Sequence, residues 1–316
     1  MLATLSGLPD STRAWLQIHF CVALWGFTAI LGRLISLEAV PLVLWRMALV
    51  TAALLLWPPV WQATRTLPPR LLWAYVGVGV VVALHWLTFY GAVKLANASV
   101  AATCIATVPI FLALIEPILT GRRFRWWELL LGLLALPGIA LLVGGTPTHM
   151  NAGIVMGILS AVFAALFAAL NKRLVLGAGA LSVTAIEMAS GALFLLLLTA
   201  ALYASGIGEV AGMFDPNAAL MPTEGDLFWL LVLAFGCTLL PFALSLMALR
   251  HLSAYASSLA INLEPVYAIA LAILILGEQH ELGTTFYLGA GLIIGVLAIY
   301  PWLLRLTRPK PATVSL

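Results

Sequence analysis

Apolar residues occur in long unbroken runs along the chain, and short segments with charged or turn-forming residues separate them. A run of about 20 apolar residues matches the length of an α-helix that crosses a lipid bilayer. The strands of a membrane β-barrel would instead alternate apolar and polar residues over about ten positions. The runs therefore predict an all-α membrane protein with ten transmembrane helices, over 15–35, 40–59, 71–93, 98–120, 126–144, 152–172, 181–203, 226–248, 253–276 and 284–304.

The linkers between these runs are mostly very short, so consecutive helices are expected to be antiparallel. The exception is the segment 204–225, which contains Asp215, Pro216 and Pro222. The first run is long enough to span a bilayer, and only one basic residue, Arg13, precedes it. It is expected to be an uncleaved first helix rather than a signal peptide.

The composition supports the same class. Hydrophobic residues make up 63% of the 316 residues and charged residues only 9%, whereas a soluble domain carries about 25% charged residues. The net charge of +3 is dispersed through short loops, which gives no indication of nucleic-acid binding. Cys21, Cys104 and Cys237 lie inside apolar runs without metal-ligand spacing, so they are expected to be small buried apolar residues.

The distribution of lysine and arginine predicts the orientation, because cytoplasmic loops carry an excess of basic residues. With a cytoplasmic N-terminus, twelve basic residues fall in inner segments and only Arg33 and Lys94 in outer segments. Both termini are therefore predicted to be cytoplasmic, in a bacterial inner membrane. The twelve inner residues are Arg13, Arg65, Arg70, Arg122, Arg123, Arg125, Lys172, Arg173, Arg250, Arg305, Arg308 and Lys310.

The two halves of the chain show an ordered self-similarity. Trp73 and Trp229, Pro109 and Pro265, and Gly121 and Gly277 are each separated by 156 residues. Five helices per half is an odd number, so the second half must be inverted, with a binding site near the midplane. The predicted organisation is a cytoplasmic tail (1–14), a first repeat (15–144), a connecting loop (145–151), a second repeat (152–304) and a basic cytoplasmic tail (305–316).

Four short motifs resemble the drug/metabolite transporter superfamily, specifically its EamA-type members. They are Leu24-Trp25-Gly26-Phe27, Ala98-Ser99-Val100-Ala101, Glu264-Pro265-Val266 and Leu276-Gly277-Glu278. The resemblance covers residues 15–304 and implies that helices 1–4 and 6–9 line a central cavity, with helices 5 and 10 at the periphery. It also implies secondary-active export of small metabolites such as amino acids. The chain departs from the doubled pattern at Gly121-Arg122, where the second half has Gly277-Glu278.

Other functions are weighed against this one. An enzyme or a nucleotide-driven pump would need a metal-binding histidine motif, a nucleophile or a Gly-rich phosphate loop, and the sequence shows none of these. No catalytic residue, metal or cofactor is therefore expected. A passive facilitator or channel, and a lipid or glycolipid flippase of the same superfamily, remain alternatives to the exporter. The expected partners are a small-molecule substrate, the lipid bilayer and protons, and the oligomeric state stays open.

Asn262 and Glu264 are the most informative polar residues inside a predicted helix, because ionisable groups at this depth are costly. The repeat retains Pro109 and Pro265, which marks the prolines as helix breaks of the shared architecture. By contrast, Asn262 and Glu264 have apolar counterparts in the first half. They are expected either to hold a substrate amine or a proton, or to join helices by a hydrogen bond.

His85 and Arg46 are the next candidates. Histidine changes its charge near neutral pH, so His85 either exchanges protons or forms a hydrogen bond to a neighbouring helix. Arg46 stays charged and is expected to pair with a substrate carboxylate or with another acidic residue. The sequence therefore predicts coupling to protons through Glu264 and His85.

The remaining candidates have weaker signals. Trp25 and Trp86 lie at mid-depth and are expected in a cavity wall, and Tyr267 either stacks on a substrate or packs. Thr103 and Thr107 are one turn apart and either face the site or bond their own backbone.

Two acidic residues near the cytoplasmic side are interpreted as structural. Glu187 and Glu116 are expected in ion pairs, with Lys172 or Arg173 as the partner of Glu187.

Overall fold

A computed structural model describes residues 9–134, 136–205, 220–261 and 263–307 of the chain. The described residues are helical and contain no strand. The helices are α1 (Asp10–Trp25), α2 (Thr28–Leu34), α3 (Ala39–Leu55), α4 (Pro58–Arg65), α5 (Pro69–Leu95), α6 (Ala98–Ile105), α7 (Val108–Thr120), α8 (Trp126–Leu134), α9 (Leu136–Gly144), α10 (Asn151–Leu174), α11 (Ala180–Ala204), α12 (Glu224–Leu231), α13 (Leu240–Leu249), α14 (Ala254–Ile261), α15 (Glu264–Leu271) and α16 (Thr284–Thr307). Two π-helical stretches, Val232–Leu239 and Ala272–Leu276, continue α12 and α15.

Seven helical spans in the described part of the chain are long and apolar enough to cross a membrane, or eight if α3 and α4 count as one bent span. The chain is therefore a multi-pass membrane protein. The helices Glu264–Leu276 and Thr284–Val296 are apolar but shorter, so the count of ten transmembrane helices stays a prediction. Most of the predicted linker 204–225 lies outside the described residues.

The second predicted span, 40–59, is wrong at its end. The helix α3 stops at Leu55, and α4 leaves it at an angle of 92°. Trp57 is extended, with φ −105° and ψ 95°. This conformation is expected of a residue before proline, because the proline ring of Pro58 disfavours the helical region at the preceding residue.

Large apolar side chains cover the outside of the bundle. Ile118 and Leu274 are each 81% exposed, which water would disfavour and hydrocarbon accommodates. A main apolar core lies between α3, α5, α10 and α11, and a smaller one joins α6, α9, α10 and α16. Gly138 and Gly289 allow α9 and α16 to approach closely, since a Cβ on Gly138 would lie 2.9 Å from the carbonyl oxygen of Gly289.

Three of the predicted spans are broken near their middle. The first break lies at Gly26 and Phe27, where a Cβ on Gly26 would lie 2.7 Å from the Cβ of Tyr267. The other two lie between α6 and α7 and between α14 and α15. Pro109 and Pro265 are each in the first turn after the break, where a missing N–H group leaves no intrahelical hydrogen bond unmade.

Gly121 and Gly277 end the two proline-containing spans in the same way. Their φ angles are 73° and 70°, in the left-handed region that a glycine enters without strain. The glycines and prolines that the sequence repeat pairs thus occupy equivalent positions, at the end and at the start of equivalent helices in the two halves.

Candidate functional site

A cavity of about 110 Å³ lies among the broken helices. Side chains from α1, α2, α3, α5, α6, α7, α10, α13, α14 and α15 line it, whereas none comes from α8, α9 or α16. This agrees with the peripheral place expected for the fifth and tenth spans. The seventh span, α11, also contributes no residue to the lining, although the resemblance implied that it would. The polar lining residues are Thr28, Arg46, His85, Asn171, Ser245, Ser257 and Glu264.

Arg46 is the cation of the cavity and is only 2% exposed. Its guanidinium group is held at all three nitrogens. Nε donates to Oγ1 of Thr238 at 2.5 Å, Nη1 donates to the hydroxyl of Tyr90 at 3.0 Å, and Nη2 donates to the carbonyl of Cys237 at 3.4 Å. All three acceptors are uncharged, so the positive charge is oriented but not neutralised.

The π-helical stretch Val232–Leu239 supplies two of these acceptors. The hydroxyl of Thr238 donates to the carbonyl of Leu233, five residues earlier, at 2.6 Å. This fixes the rotamer in which Thr238 Oγ1 faces Arg46. A π-helical turn shifts the backbone hydrogen-bonding pattern, and such turns are frequent at functional sites.

Trp86 forms the floor beneath the guanidinium group. The Cζ atom of Arg46 lies 3.7 Å from the centroid of the Trp86 ring, well within the range of a cation–π contact. Phe242 packs against Trp86 with its ring centroid 6.1 Å away, edge to face. Trp25 also lines the cavity, so both tryptophans lie where the sequence predicted them.

Glu264 is the acidic residue of the cavity. It is 7% exposed and is the first residue of α15, so the positive end of the helix dipole faces its carboxylate. In the described part of the chain no lysine, arginine or histidine nitrogen lies within 4.0 Å of it. Arg46 likewise has no carboxylate within that distance. The cavity therefore contains one basic and one acidic side chain that are not paired with each other.

His85 is bound to α10 through one ring nitrogen. Nδ1 lies 3.0 Å from the carbonyl oxygen of Ser160, and the Ser160 hydroxyl donates to the carbonyl of His85 at 3.0 Å. The Ser160 hydroxyl also lies 2.9 Å from Nδ1. When that hydroxyl donates to the carbonyl of His85, Nδ1 carries the hydrogen toward the carbonyl of Ser160, and Nε2 of the neutral ring is left as an acceptor. Phe167 packs beside the ring with a centroid distance of 5.2 Å.

Three candidates from the sequence that the structure describes are not brought into the cavity. Thr103 and Thr107 are fully enclosed, and their hydroxyls donate to the backbone carbonyls of Ser99 and Cys104, four and three residues earlier in the chain. Tyr267 is 46% exposed and does not line the cavity. Asn262 lies outside the described residues.

The two acids interpreted as structural differ from each other. Glu116 forms an ion pair with Arg122, at 3.2 Å from Nε. Glu187 does not form the expected pair with Lys172 or Arg173. It accepts instead from Nδ2 of Asn171 at 3.3 Å, because the ammonium group of Lys172 is directed at a backbone carbonyl.

Several polar partners of the site were missed in the sequence. Ser160, Asn171 and Thr238 each hold a candidate residue in place, and all three lie within or at the end of apolar runs. Small polar residues are common in transmembrane helices, so the only available signal was their depth relative to Arg46, His85 and Glu187.

Comparison with known proteins identifies the family of the chain. No curated protein matches the chain. In all, 23 chains of solved structures match. One of these crystal structures superposes with a TM-score of 0.66 and 17% identity, over 94% of this chain and 99% of that one, which shows a shared fold. The model of the EamA-like transporter family matches twice, over residues 13–144 and 151–301. The chain therefore belongs to the EamA-like transporter family.

Proposed function

We propose that this transporter exports a small zwitterionic metabolite such as an amino acid across the bacterial inner membrane, by alternating access and in exchange for protons. The observation that carries the proposal is that the buried side chains of Arg46 and Glu264, one basic and one acidic, line the same cavity without pairing with each other. A buried charge without a counter-ion is strongly disfavoured. A ligand with a carboxylate and an ammonium group would neutralise both.

Arg46 is suited to the carboxylate of the substrate. Its three protein contacts use three of the five N–H groups of the guanidinium. Two N–H groups remain, one on each terminal nitrogen, and a carboxylate accepts from such a pair in a bidentate arrangement. Trp86 prevents the guanidinium plane from tilting, so the direction of approach is fixed before the substrate arrives.

Glu264 is suited to the ammonium group, and the aromatic wall to the body of the substrate. Trp25, Phe89 and Phe167 line the same cavity, and they offer apolar surface and π-faces. A cavity of about 110 Å³ has room for about seven to ten water-sized positions. That size fits a small metabolite and is far too small for a two-chain lipid.

Alternating access requires contacts that close each end of the cavity in turn, and two carboxylates provide them. Glu278 accepts from the backbone N–H groups of Ala98 and Ser99, both at 3.0 Å, at the start of α6. Glu116 accepts from the backbone N–H groups of Ala254 and Tyr255, at 3.0 and 2.9 Å, at the start of α14. Each carboxylate comes from one repeat and caps a helix of the other, so separation of the repeats at one end would break one cap.

The positions of the basic residues support the proposed direction of transport. Arg122 contacts Glu116, and Lys172 donates to the carbonyl of Leu249, so these basic groups lie at the same end of the bundle. Leu249 and Ala254 also line the cavity, which therefore extends toward that end. With the basic end in the cytoplasm, breaking the Glu116 cap would open the cavity toward the side from which an exporter loads its substrate.

Counterflow in proteoliposomes tests the function. Vesicles loaded with one unlabelled natural amino acid at a time receive the same labelled compound outside. We expect saturable accumulation of at least one amino acid, and a loss of about tenfold or more in apparent affinity for R46Q and E264Q, since hydrogen bonds to charged groups are worth about 1.5–3 kcal/mol. The exposed Arg123 and Glu224 provide matched controls, R123Q and E224Q, which should behave as the wild type. Flux that does not saturate, or movement of a fluorescent phospholipid without any amino acid, would contradict the proposal.

A further inference from the structure

A second acid, Glu187, is buried behind the cavity wall in an incomplete hydrogen-bonding arrangement. Glu187 is 0% exposed on α11, and Asn171 is 2% exposed on α10. The amide Nδ2 of Asn171 donates to Oε2 of Glu187 at 3.3 Å. The two remaining oxygens, Oε1 of Glu187 and Oδ1 of Asn171, are enclosed and have no hydrogen-bond partner in the described part of the chain.

Two basic groups at this end of the bundle do not neutralise the carboxylate of Glu187. The ammonium of Lys172 donates to the carbonyl of Leu249 at 2.7 Å, and Nη2 of Arg250 donates to the carbonyl of Ala178 at 2.8 Å. Both cations are thus engaged with backbone at the end of the bundle. Within the residues that the structure describes, neither lies within 4.0 Å of Glu187.

The other elements that pack on α11 also bring no counter-ion. From α5, the hydroxyl of Tyr75 donates to the carbonyl of Leu174 at 2.8 Å. From α3, Arg46 is directed at Thr238, and from α4 the guanidinium of Arg65 lies over the ring of Trp61, 4.2 Å from its centroid.

The chemistry of the two unpartnered oxygens identifies what is missing. An ionised carboxylate and an amide oxygen are both acceptors only, so two enclosed acceptors would face a site without a donor, which is costly at this depth. One hydrogen on Oε1 of Glu187 turns that oxygen into a donor toward Oδ1 of Asn171. The acid and the amide then satisfy each other through two hydrogen bonds in a closed ring.

The geometry points to the Glu187–Asn171 pair as a proton-binding site that is occupied in this conformation and is distinct from the substrate-binding charges Arg46 and Glu264. Its ligand is a proton. Asn171 lines the cavity while Glu187 lies behind it, so rotation of one amide would expose the acid to cavity water. The O–H bond of Glu187 would then break, and the proton would pass to that water.

The site also lies at a junction between the two repeats. Gly79 of α5, in the first repeat, packs directly on the backbone of Glu187, in the second, and no Cβ fits between them. A change in the charge of Glu187 would therefore change the contact between the two repeats. This would couple proton release to alternating access. This role rests on the proposed transport function, whereas the occupied proton site does not.

Infrared spectroscopy of the purified full-length protein in lipid nanodiscs tests the site without a transport assay. At neutral pH the wild type should show a protonated-carboxyl C=O band that is absent in E187Q and retained in E264Q. In N171A the band should move to higher wavenumber, because the hydrogen on Oε1 loses its acceptor. Glutamine reproduces the amide–acid ring with its own N–H group, so E187Q should fold as the wild type does. Neutral-pH spectra of wild type and E187Q that agree in the carboxyl region would overturn the proposal.

Transport separates this proposal from the one on which it rests. In E187Q we expect amino-acid counterflow between equal pools to persist and accumulation driven by a pH gradient to be lost. If R46Q and E264Q leave counterflow unchanged, the substrate site is wrong although the infrared band stands. If E187Q accumulates substrate as the wild type does, Glu187 is not the coupling site.

Discussion

Glu116 and Glu278 occupy equivalent places at opposite ends of the molecule. Glu278 accepts from the backbone nitrogens of Ala98 and Ser99, and Glu116 accepts from that of Ala254. Ala98 and Ala254 are themselves separated by 156 residues, the spacing of the sequence repeat. The two acids are not, since Glu116 lies before the glycine that ends its helix and Glu278 after it. Each repeat thus caps the equivalent helix of the other repeat, but the capping acids come from non-equivalent positions in the two repeats.

The two caps should have opposite effects when weakened. A glutamine keeps the volume but replaces one acceptor oxygen with a donor that faces backbone N–H groups. We expect E278Q to raise the labelling of a single cysteine at the cavity residue Thr28 from the predicted outer side. E116Q should lower it and should raise the labelling of a cysteine at Ser257 from the inner side.

That experiment needs a background in which the buried Cys21, Cys104 and Cys237 are replaced. Its matched control is Glu224→Gln, an exposed acid that caps neither repeat. A shift in the same direction for both variants would show that the carboxylates only stabilise the fold.

The orientation has its own test. The excess of basic residues predicts that the segment 121–125 and the C-terminal tail are cytoplasmic and that 204–225 is outside. An impermeant thiol reagent added to intact cells should label a single cysteine at Met221, which is 68% exposed, and should spare one at Arg123. Labelling of Arg123→Cys alone would invert the topology.

Two glycines on α5 give a stability test with a built-in control. A Cβ on Gly79 would overlap the carbonyl of Glu187 and the hydroxyl of Ser190, whereas a Cβ on Gly77 meets nothing within 4 Å. We expect G79A to destabilise the protein by about 1–3 kcal/mol and to lower its melting temperature in detergent. G77A should be neutral or stabilising, because alanine favours a helix by about 1 kcal/mol over glycine. Equal melting temperatures for G79A and wild type would contradict the close approach of α5 and α11.

His85 is expected to exchange protons through Nε2, the ring nitrogen that does not contact Ser160. In H85N the side-chain amide can replace Nδ1 as the donor to Ser160, so the protein should fold. Asparagine cannot take up a proton as the imidazole ring can. The initial rate of transport should therefore become less dependent on pH than in the wild type, while S160A should lower the rate without flattening its pH profile. A pH profile of H85N identical to that of the wild type would assign His85 a structural role.

The depth of a residue in the membrane could be predicted from the sequence, whereas the side of the helix on which the residue lies could not. The runs of apolar residues and the paired prolines located the two proline breaks, and counting along the runs placed His85 and Glu264 near the midplane and Arg46 in the outer part of its helix. Thr103 and Thr107 lie at a suitable depth too, yet they face the protein interior away from the cavity. A helix that is apolar on all sides carries no pattern that tells which face meets the cavity.

The end of the third helix and the partner of Glu187 were missed for related reasons. Pro58 and Pro59 follow the uncharged apolar residues 47–57, so hydropathy alone extended the helix across them. Lys172 was a reasonable partner for Glu187 by charge. A lysine at the end of a membrane helix, however, reaches the interface or a free carbonyl more readily than it turns inward, and here it bonds to Leu249.

The account rests above all on Arg46 and Glu264 binding opposite ends of one substrate, and competition by substrate fragments tests that most directly. For the amino acid that the counterflow assay identifies, inhibition is measured with the corresponding amine, which lacks the carboxylate, and the corresponding acid, which lacks the ammonium group. The wild type should prefer the intact zwitterion over both, R46Q should lose its discrimination against the amine, and E264Q should lose its discrimination against the acid. Equal weakening of all three ligands in both variants, or no change in any, would contradict the claim.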